Sequence, residues 1–247
     1  MSPRSAKLYV IASSHPCATA EAALRIKGVA YQVVELPAEF HRLHQRWRFG
    51  RPTVPSMVLD GERVVGSRAI VHRVDELVPD PPLLPEDPSR RAAVEDAERW
   101  GDEVLKNIAR HIEIAALLRR PEALPSYLED SRLPWPAWWV RLAGPLGMRS
   151  AARYHGAKEH AVRADLASLP GHLDHVDELI AAGVVGGERP NAADLQLGSS
   201  LKVLADLGDV QPLLEGRPAL RLGERLFPDL RGRCPAGALP ASWLPQR

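Results

Sequence analysis

The chain has 247 residues, with 32 Lys and Arg against 31 Asp and Glu, and a formal net charge of +1 at pH 7. This length holds one large domain or two ordinary ones with a buried core. The near-neutral charge gives no reason to expect a nucleic acid or an acidic membrane surface as partner.

Targeting signals and disulfides are also not expected. No apolar run approaches the roughly 20 residues that span a bilayer, and the polar start with a short apolar run is unlike a secretory signal. Cys17 and Cys234 are far apart and fit no disulfide or zinc framework. The sequence therefore predicts a cytoplasmic protein, and its Arg-rich composition suggests a bacterial source.

The first elements form a βαβ unit. Residues 7–12 are a β-branched, aromatic run typical of a buried strand. Residues 13–17 are a loop that leads into a helix, with Pro16 in the first turn. This helix is expected to end near Gly28. Residues 31–36 are a second strand, which we expect to pair in parallel with the first through a right-handed crossover.

A hairpin and a third helix follow a basic aromatic segment at residues 38–50. Asp60-Gly61 between two β-prone runs is a strong hairpin signal. Val54-Pro55 stands at the strand entry, where a cis proline is one option. Ser67 is expected to cap a helix that runs to about residue 78, leaving its first amides free to hold an anion. The order β-α-β-α-β-β-α predicts a thioredoxin fold over residues 6–78.

The rest of the chain is predicted to be helical. Residues 79–88 are a stiff, proline-rich linker. We expect a first domain at 1–78 and an all-helical domain at 89–247, which begins with a long amphipathic helix at 89–119. Prolines then interrupt the pattern until residue 147.

Three more features complete the helical part. Two helices are predicted at 151–167 and 169–182. Asn191-Ala-Ala-Asp194 forms a capping box at the start of an apolar helix that ends near residue 207. The tail from Pro228 is expected to lie on the surface.

The stretch Thr53-Val54-Pro55, the hairpin and Gly66-Ser67-Arg68 carry a family resemblance. They are similar to the second half of the thioredoxin-like domain of glutathione transferases and glutaredoxins, and Asn191–Asp194 resembles the capping motif of the central helix in the transferases. The resemblance implies the glutathione S-transferase fold: an α/β thioredoxin-like N-terminal domain followed by an all-α helical-bundle C-terminal domain.

The resemblance also implies a glutathione site. In these families the residue before the cis-proline pairs its backbone with the cysteinyl part of glutathione, and the helix-start serine takes the γ-glutamyl carboxylate. A residue of the basic segment would contact the glycyl carboxylate. The implied glutathione-binding residues are Thr53, Val54, Pro55, Ser67, Arg68, His41 and Arg51.

The reactive group in this fold lies where the first strand meets its helix. Ser14-His15-Pro16-Cys17 has the spacing of a redox Cys-x-x-Cys with serine in the first place. The Ser14 hydroxyl would donate a hydrogen bond to a glutathione thiolate. Cys17, in the first turn of the helix, would have a lowered pKa and form a mixed disulfide, or else would be a packing residue. His15 is expected to face solvent.

These expectations combine into a glutathione S-transferase-like detoxification enzyme that adds glutathione, its co-substrate, to a small apolar electrophile. We expect no other cofactor. We also expect no metal, because the pairs His41/His44 and His172/His175 lack the further ligands that a metal site needs. A homodimer is possible. Trp135, Trp138 and Trp139 could line an apolar pocket, lie on a membrane surface or pack on the helical core, and Arg110 and Leu117 are further acceptor candidates.

Two alternatives remain open. A glutaredoxin-like thiol-disulfide reductase would use Cys17 as its reactive group. A non-catalytic binding module would keep the fold without the chemistry.

Overall fold

The structure is a computed structural model that describes residues 6–38, 40–134 and 136–245. Trp135, one member of the predicted tryptophan cluster, lies outside these residues. Within the described part of the chain, no helix has the length and apolar character needed to cross a membrane.

The N-terminal region is built on a four-stranded mixed sheet with the strand order β2-β1-β3-β4. β1 pairs in parallel with β2 and antiparallel with β3, and β3 forms an antiparallel hairpin with β4. Asp60 and Gly61 both have positive φ at the hairpin turn, as a two-residue turn of this hand requires. The strands are β1 Ala6–Val10, β2 Tyr31–Glu35, β3 Ser56–Leu59 and β4 Glu62–Val65.

Three helices complete this region: α1 His15–Ile26, α2 His41–Phe49 and α3 Ser67–Leu77. α1 and α3 pack against each other, and their apolar faces share a core with the sheet. The peptide bond between Val54 and Pro55 is cis. The predicted order of elements and the thioredoxin-like fold are therefore confirmed.

The linker is held by the buried amino group of Lys27. Its Nζ donates to the carbonyl oxygens of Val78, at 2.8 Å, and Pro81, and it forms an ion pair with Asp75. The Asp75 carboxylate in turn accepts from the Leu83 amide at 2.7 Å. A buried charge needs such partners, so the stiff linker is fixed to the end of α1. The division of the chain at residues 78 and 88 stays a prediction.

The C-terminal region is all-helical, as predicted. α4 Pro88–Trp100, a π-helical turn at Gly101–Leu105 and α5 Lys106–Arg119 follow one another without a break, and a 3-10 segment covers Pro121–Leu128. The remaining helices are α6 Ala137–His155, α7 Glu159–Ala181, α8 Ala192–Ala205, α9 Gln211–Leu214 and α10 Pro218–Leu226.

The expected helix boundaries between residues 121 and 182 are wrong. α6 continues through Pro145 and α7 through Pro170, and the break falls instead at Gly156, whose φ is 76°. Proline usually ends a helix because it lacks an N–H. In α7 the buried side chains on both sides of Pro170, including Leu166 and Leu173, keep the helix intact by packing against the core.

The tail beyond residue 228 is only partly on the surface. The Cys234 amide donates to the Asp206 carbonyl at 3.0 Å, and the Cys234 carbonyl accepts from the Gly208 amide at 2.8 Å. Trp243 is buried beneath the guanidinium of Arg119, which lies 4.2 Å from its ring centroid. The tail therefore closes one side of the helical core.

α8 is the central helix of the C-terminal region, and its predicted capping box is present. The Asp194 amide donates to Asn191 Oδ1 at 3.0 Å, and the Asn191 amide donates to Asp194 Oδ2 at 2.8 Å. α8 also contacts α1, where Thr19 Oγ1 donates to Ser199 Oγ at 2.8 Å. This contact fixes the reactive-loop end of α1 relative to the helical region.

Replacing Asn191 with alanine should lower the free energy of unfolding by about 1–2 kcal/mol, because the helix loses its N-cap acceptor and the Val184 carbonyl loses its donor. Urea unfolding followed by circular dichroism measures the change. Glu224→Ala, at an exposed position of α10, is the control and should change the stability by less than about 0.5 kcal/mol. Equal effects of the two substitutions would contradict the prediction.

Candidate functional site

A cleft of about 1210 Å³ lies between the two regions of the chain. On one side, it is lined by the loop before α1, the segment that leads into β3 and the start of α3. On the other side, it is lined by α5, the 3-10 segment and α6. A cleft of this kind between two parts of a chain is the usual place for a small-molecule site.

The structure brings eight of the predicted site residues together around this cleft. The catalytic candidate Ser14 lines it, together with all of the predicted glutathione-binding residues: His41, Arg51, Thr53, Val54, Pro55, Ser67 and Arg68. Their roles in binding remain predictions. Of the acceptor candidates, Arg110, Leu117 and Trp139 also line the cleft.

Ser67 does not cap α3 as expected. The N-cap is Gly66, with a φ of 99° that favours glycine, and the helix begins at Ser67 itself. This backbone conformation accounts for a glycine just before the serine. The Ser67 hydroxyl instead donates to Gln196 Oε1 at 3.2 Å, and Gln196 Nε2 donates to Asp102 Oδ1 at 3.2 Å. Lys106 forms an ion pair with the same carboxylate.

Arg68 belongs to a second polar group at the start of α3. The fully buried carboxylate of Glu98 accepts from Arg68 Nε at 3.0 Å and from His72 Nε2 at 2.6 Å. The hydrogen bond to Glu98 raises the pKa of His72, despite the opposing effect of its partial burial. Both Arg68 and His72 line the cleft, so this corner presents a guanidinium and an imidazole that share one buried carboxylate.

The loop before α1 is held by its serines. Ser13 has a φ of 52°, a left-handed conformation that is unfavourable for a residue with a side chain, and its hydroxyl donates to the Tyr127 carbonyl. Ser14 follows in an extended conformation, and its carbonyl accepts from the Ala18 amide at 2.9 Å. The Ser14 side chain makes no capping hydrogen bond to α1, so its hydroxyl is not committed to the helix end.

His15 is buried, and the expectation that it faces solvent is wrong. Its pKa is lowered well below the usual value, first by burial and then by the charges of Arg110 and Lys106. Among the described residues, its buried Nε2 has no hydrogen-bond partner. His15 is therefore a neutral imidazole at the wall of the cleft.

Cys17 does not have the lowered pKa expected of a thiol in the first turn of a helix. Burial raises its pKa to about 12, and hydrogen bonding with Ser14 offsets only part of this increase. The side chain packs in the sheet core with Val10 and Ala20 and is not among the residues that line the large cleft. The surroundings are those of a packing residue, because a reactive cysteine needs exposure and a stabilised thiolate.

The half of the cleft formed by α5, the 3-10 segment and α6 is mostly apolar, and Glu113 and Tyr127 are among its polar side chains. Burial raises the pKa of Glu113 to about 8, although Arg110 counteracts the increase. Burial also raises the pKa of Tyr127. In the described part of the chain, neither Glu113 Oε1 nor the Tyr127 hydroxyl has a hydrogen-bond partner. The surrounding apolar residues are Ile114, Leu117, Leu124, Trp139, Val140, Leu146 and Met148.

The basic segment contributes to the cleft and also connects it to α6. His41, Arg42 and Arg51 line the cleft. Arg42 Nη2 donates to Ser150 Oγ at 2.7 Å, and its guanidinium lies 4.7 Å from the ring centroid of Tyr154. α2 and α6 are therefore neighbours at the cleft.

Several residues that line the cleft or contact its lining were not identified from the sequence. Gln196 is 129 positions from its partner Ser67, so only the tertiary fold brings them together. The spacing of Asp102 and Lys106, four apart on one helix, is a signal for an ion pair but not for a site. Glu113, like these, lies on the long helical stretch, where polar residues are usually solvated. Among the residues described, no group of three or more His, Cys, Asp or Glu side chains could hold a metal ion.

Residues 8–82 match the family model described as the N-terminal domain of glutathione S-transferase. A probable maleylacetoacetate isomerase of Drosophila melanogaster is 32% identical over 87 residues, which are 35% of this chain and 31% of that relative. The chain spans about a third of the length of the curated relatives it matches.

Solved structures resemble the chain over most of its length. The β-etherase LigF of Sphingobium sp. strain SYK-6 is 19% identical, with a TM-score of 0.61 over 90% of this chain and 98% of that one. A glutathione S-transferase of Methylobacterium radiotolerans, solved with glutathione sulfonate, is also 19% identical, with a TM-score of 0.56 over 91% of each chain. At these identities the likeness establishes the fold, and the resemblance and the two-part fold predicted from the sequence are confirmed.

Proposed function

We propose that this chain binds glutathione as a thiolate and transfers it to a small apolar electrophile. Its residues 8–82 match the family model of the glutathione S-transferase N-terminal domain. One observation carries the proposal. All of the predicted glutathione-binding residues and Ser14 line one cleft, whose opposite side is mostly apolar. A thiol and an apolar acceptor bound there would meet where α1 begins, and holding them together is a large part of such catalysis.

Several groups near Ser14 favour a thiolate. The Ser14 hydroxyl, which is hydrogen-bonded with the Cys17 thiol, can turn to donate a hydrogen bond to a bound sulfur, and the N-terminus of α1 contributes a partial positive charge. Arg110 and Lys106 lie close enough to lower the pKa of His15, and their charges would also lower the pKa of a thiol placed beside it. His15 itself is neutral, and its lowered pKa means that it does not readily take up a proton.

The acceptor half of the cleft suggests a substrate with an oxygen atom. Glu113, whose pKa is raised to about 8, carries its proton at neutral pH and can donate it in a hydrogen bond. The Tyr127 hydroxyl is a second donor. Because an unpartnered buried polar group is unfavourable, these two positions fit an apolar electrophile that bears a carbonyl, ether or nitro oxygen.

A thiol-redox activity through Cys17 receives less support. A dithiol cycle would need a first cysteine in place of Ser14, and a mixed disulfide would need an accessible thiolate at Cys17. The first condition is not met because position 14 is a serine. The second is not met because the Cys17 thiol is buried and has a pKa of about 12. We further propose that the enzyme works without a metal or another cofactor, in the cytoplasm.

The test is calorimetric titration of the full chain with reduced glutathione, repeated with Ser67→Ala. We expect saturable binding that the substitution weakens roughly tenfold, about 1–2 kcal/mol, because the bound carboxylate loses the Ser67 hydroxyl, which would turn from Gln196 Oε1 to donate to it. Ser168→Ala, at an exposed position of α7, is the control and should bind as the unchanged protein does. No heat with glutathione would favour a binding module or another small thiol.

A further inference from the structure

The large apolar side chains that are exposed in the described part of the chain are confined to two places. They lie at α2 and on α6 and are Phe40, Leu43, Trp47, Trp138, Trp139, Leu142, Leu146 and Tyr154. Soluble proteins rarely collect such residues on neighbouring elements without a partner. We call these residues, with the basic side chains of the same segments, the α2–α6 surface.

The exposed residues follow the helical period. Phe40, Leu43 and Trp47, the last of them 81% exposed, are three and four positions apart and therefore share one side of α2. Trp138, Leu142 and Leu146 are four apart and share one side of α6, each about two thirds exposed. Each helix thus presents an apolar stripe to its surroundings.

The two stripes belong to adjacent helices. Arg42 of α2 donates to Ser150 of α6, and its guanidinium packs on the ring of Tyr154. Both helices also line the proposed glutathione cleft, α2 through His41 and Arg42 and α6 through residues that include Trp139 and Leu146. The α2–α6 surface therefore surrounds part of the cleft opening.

The charge of this surface differs from that of the whole chain. Residues 40–59 and 136–158 contain no Asp or Glu. They contain eight basic residues, of which six are exposed: Arg46, Arg51, Arg141, Arg149, Arg153 and Lys158. The net charge of +1 for the whole chain does not reveal this local excess of positive charge. The composition of the whole chain gave no reason to expect an acidic membrane as partner, but this face does.

We propose that the α2–α6 surface binds the surface of a bilayer that contains anionic lipids. Exposed Trp, Phe and Leu beside Arg are the composition of segments that lie in a membrane interface, with the apolar side chains among the acyl chains and the guanidinium groups at the phosphates. Basic residues within a Debye length of anionic headgroups are attracted to them.

The charge argues against a second copy of this chain as the occupant. In a two-fold contact the same surface lies on both sides, so the exposed arginines of one copy would face those of the other without a carboxylate in either segment. A lipid bilayer supplies both the negative charge and the apolar volume. The contact would be peripheral, and it does not depend on the proposed transferase activity. If both hold, an apolar electrophile dissolved in the bilayer would enter the cleft directly.

The test is co-sedimentation of the full chain with vesicles of phosphatidylcholine alone and of phosphatidylcholine with phosphatidylserine. We expect binding to the anionic vesicles that decreases as the ionic strength rises. Arg46→Glu with Arg149→Glu should weaken it more than tenfold, and Trp47→Ala with Trp138→Ala should weaken it as well. Arg189→Glu with Arg221→Glu, at exposed positions outside the α2–α6 surface, is the charge-matched control and should bind as the unchanged protein does.

The folded state of each variant is checked by thermal unfolding, and its size by analytical ultracentrifugation. Equal sedimentation with both kinds of vesicle, or equal losses in the double variants and the Arg189/Arg221 control, would overturn the proposal. A dimer that the tryptophan substitutions dissociate, together with no vesicle binding, would also overturn it and would identify the surface as a contact between copies.

Discussion

Replacing Ser14 with alanine should lower kcat/KM for glutathione conjugation by about 10–100-fold, whereas Cys17→Ala should leave it nearly unchanged. A hydrogen bond to a charged group contributes about 1.5–3 kcal/mol, which corresponds to this range. The Ser14 hydroxyl lines the cleft at the start of α1, while Cys17 is a protonated core residue with a pKa of about 12. The pair of substitutions therefore separates a transferase from a thiol-redox enzyme.

The measurement has two parts. Initial rates with a chloronitrobenzene acceptor give kcat/KM, and the ultraviolet absorbance of the thiolate, followed against pH, gives the pKa of enzyme-bound glutathione. In Ser14→Ala this pKa should rise by about 1–2 units. Because the thiolate titration needs no acceptor, it remains informative if the test electrophile is a poor substrate. Loss of activity in Cys17→Ala with a normal Ser14→Ala rate would reverse the assignment.

Glu113→Gln should make the protein more stable in alkaline solution. The pKa of Glu113 in the folded protein, about 8, lies above the value of 4.5 usual for a free carboxyl. The folded state therefore binds this proton more tightly than the unfolded state. The contribution of this proton to the free energy of unfolding is fully present below about pH 4.5 and is lost as the pH rises through about 8. Glutamine imitates the protonated side chain at every pH.

The size of this effect has an upper bound. A shift from 4.5 to about 8, at about 1.4 kcal/mol per pKa unit, gives on the order of 4–5 kcal/mol. The residue as a whole is only half-buried at the cleft wall, so the measured value should be smaller. Urea unfolding of both proteins at pH 5.5, about 7 and about 9 should show a difference in stability that grows with pH.

Other groups also titrate in this range, so the comparison is made between variant and unchanged protein. The pKa values of His72 and His111 are raised by Glu98 and Asp165, and both proteins share these contributions. Glu103→Gln, at an exposed position near the start of α5, is the matched control and should show no pH-dependent gain. A constant difference between pH 5.5 and about 9 would mean that Glu113 is ionised throughout.

Features that depend on neighbouring residues were predictable from the sequence. Asp60-Gly61 indicates a hairpin because both positions adopt positive φ, and Asn191 and Asp194 satisfy each other's amides within one turn of helix. The cleft position of Val54 and Ser67 followed from the family resemblance, which itself rests on a local motif. The conformational preferences of neighbouring residues were enough to predict the order of helices and strands.

Features that depend on distant packing were not predictable. The environment of His15 is set by Lys106 and Arg110, about 90 residues away or more, and α8 packs on the same helix α1. Cys17 is buried in the sheet core. A cysteine in the first turn of an exposed helix would have a lowered pKa, but burial reverses the sign here. The same applies to Pro145 and Pro170, whose tendency to end a helix is overcome by contacts that lie outside their own segments.

The hydrogen bonds of Ser13 with Tyr127 and of Thr19 with Ser199 cross from one half of the chain to the other. Ala22 and Ala23 of α1 are likewise buried among side chains of the helical half. The loop that presents Ser14 thus receives its shape from residues encoded more than a hundred positions downstream. The two halves are consequently not interchangeable cassettes. A gene fusion that joined this N-terminal half to the helical half of a distant relative would inherit the reactive sequence without the contacts that place it.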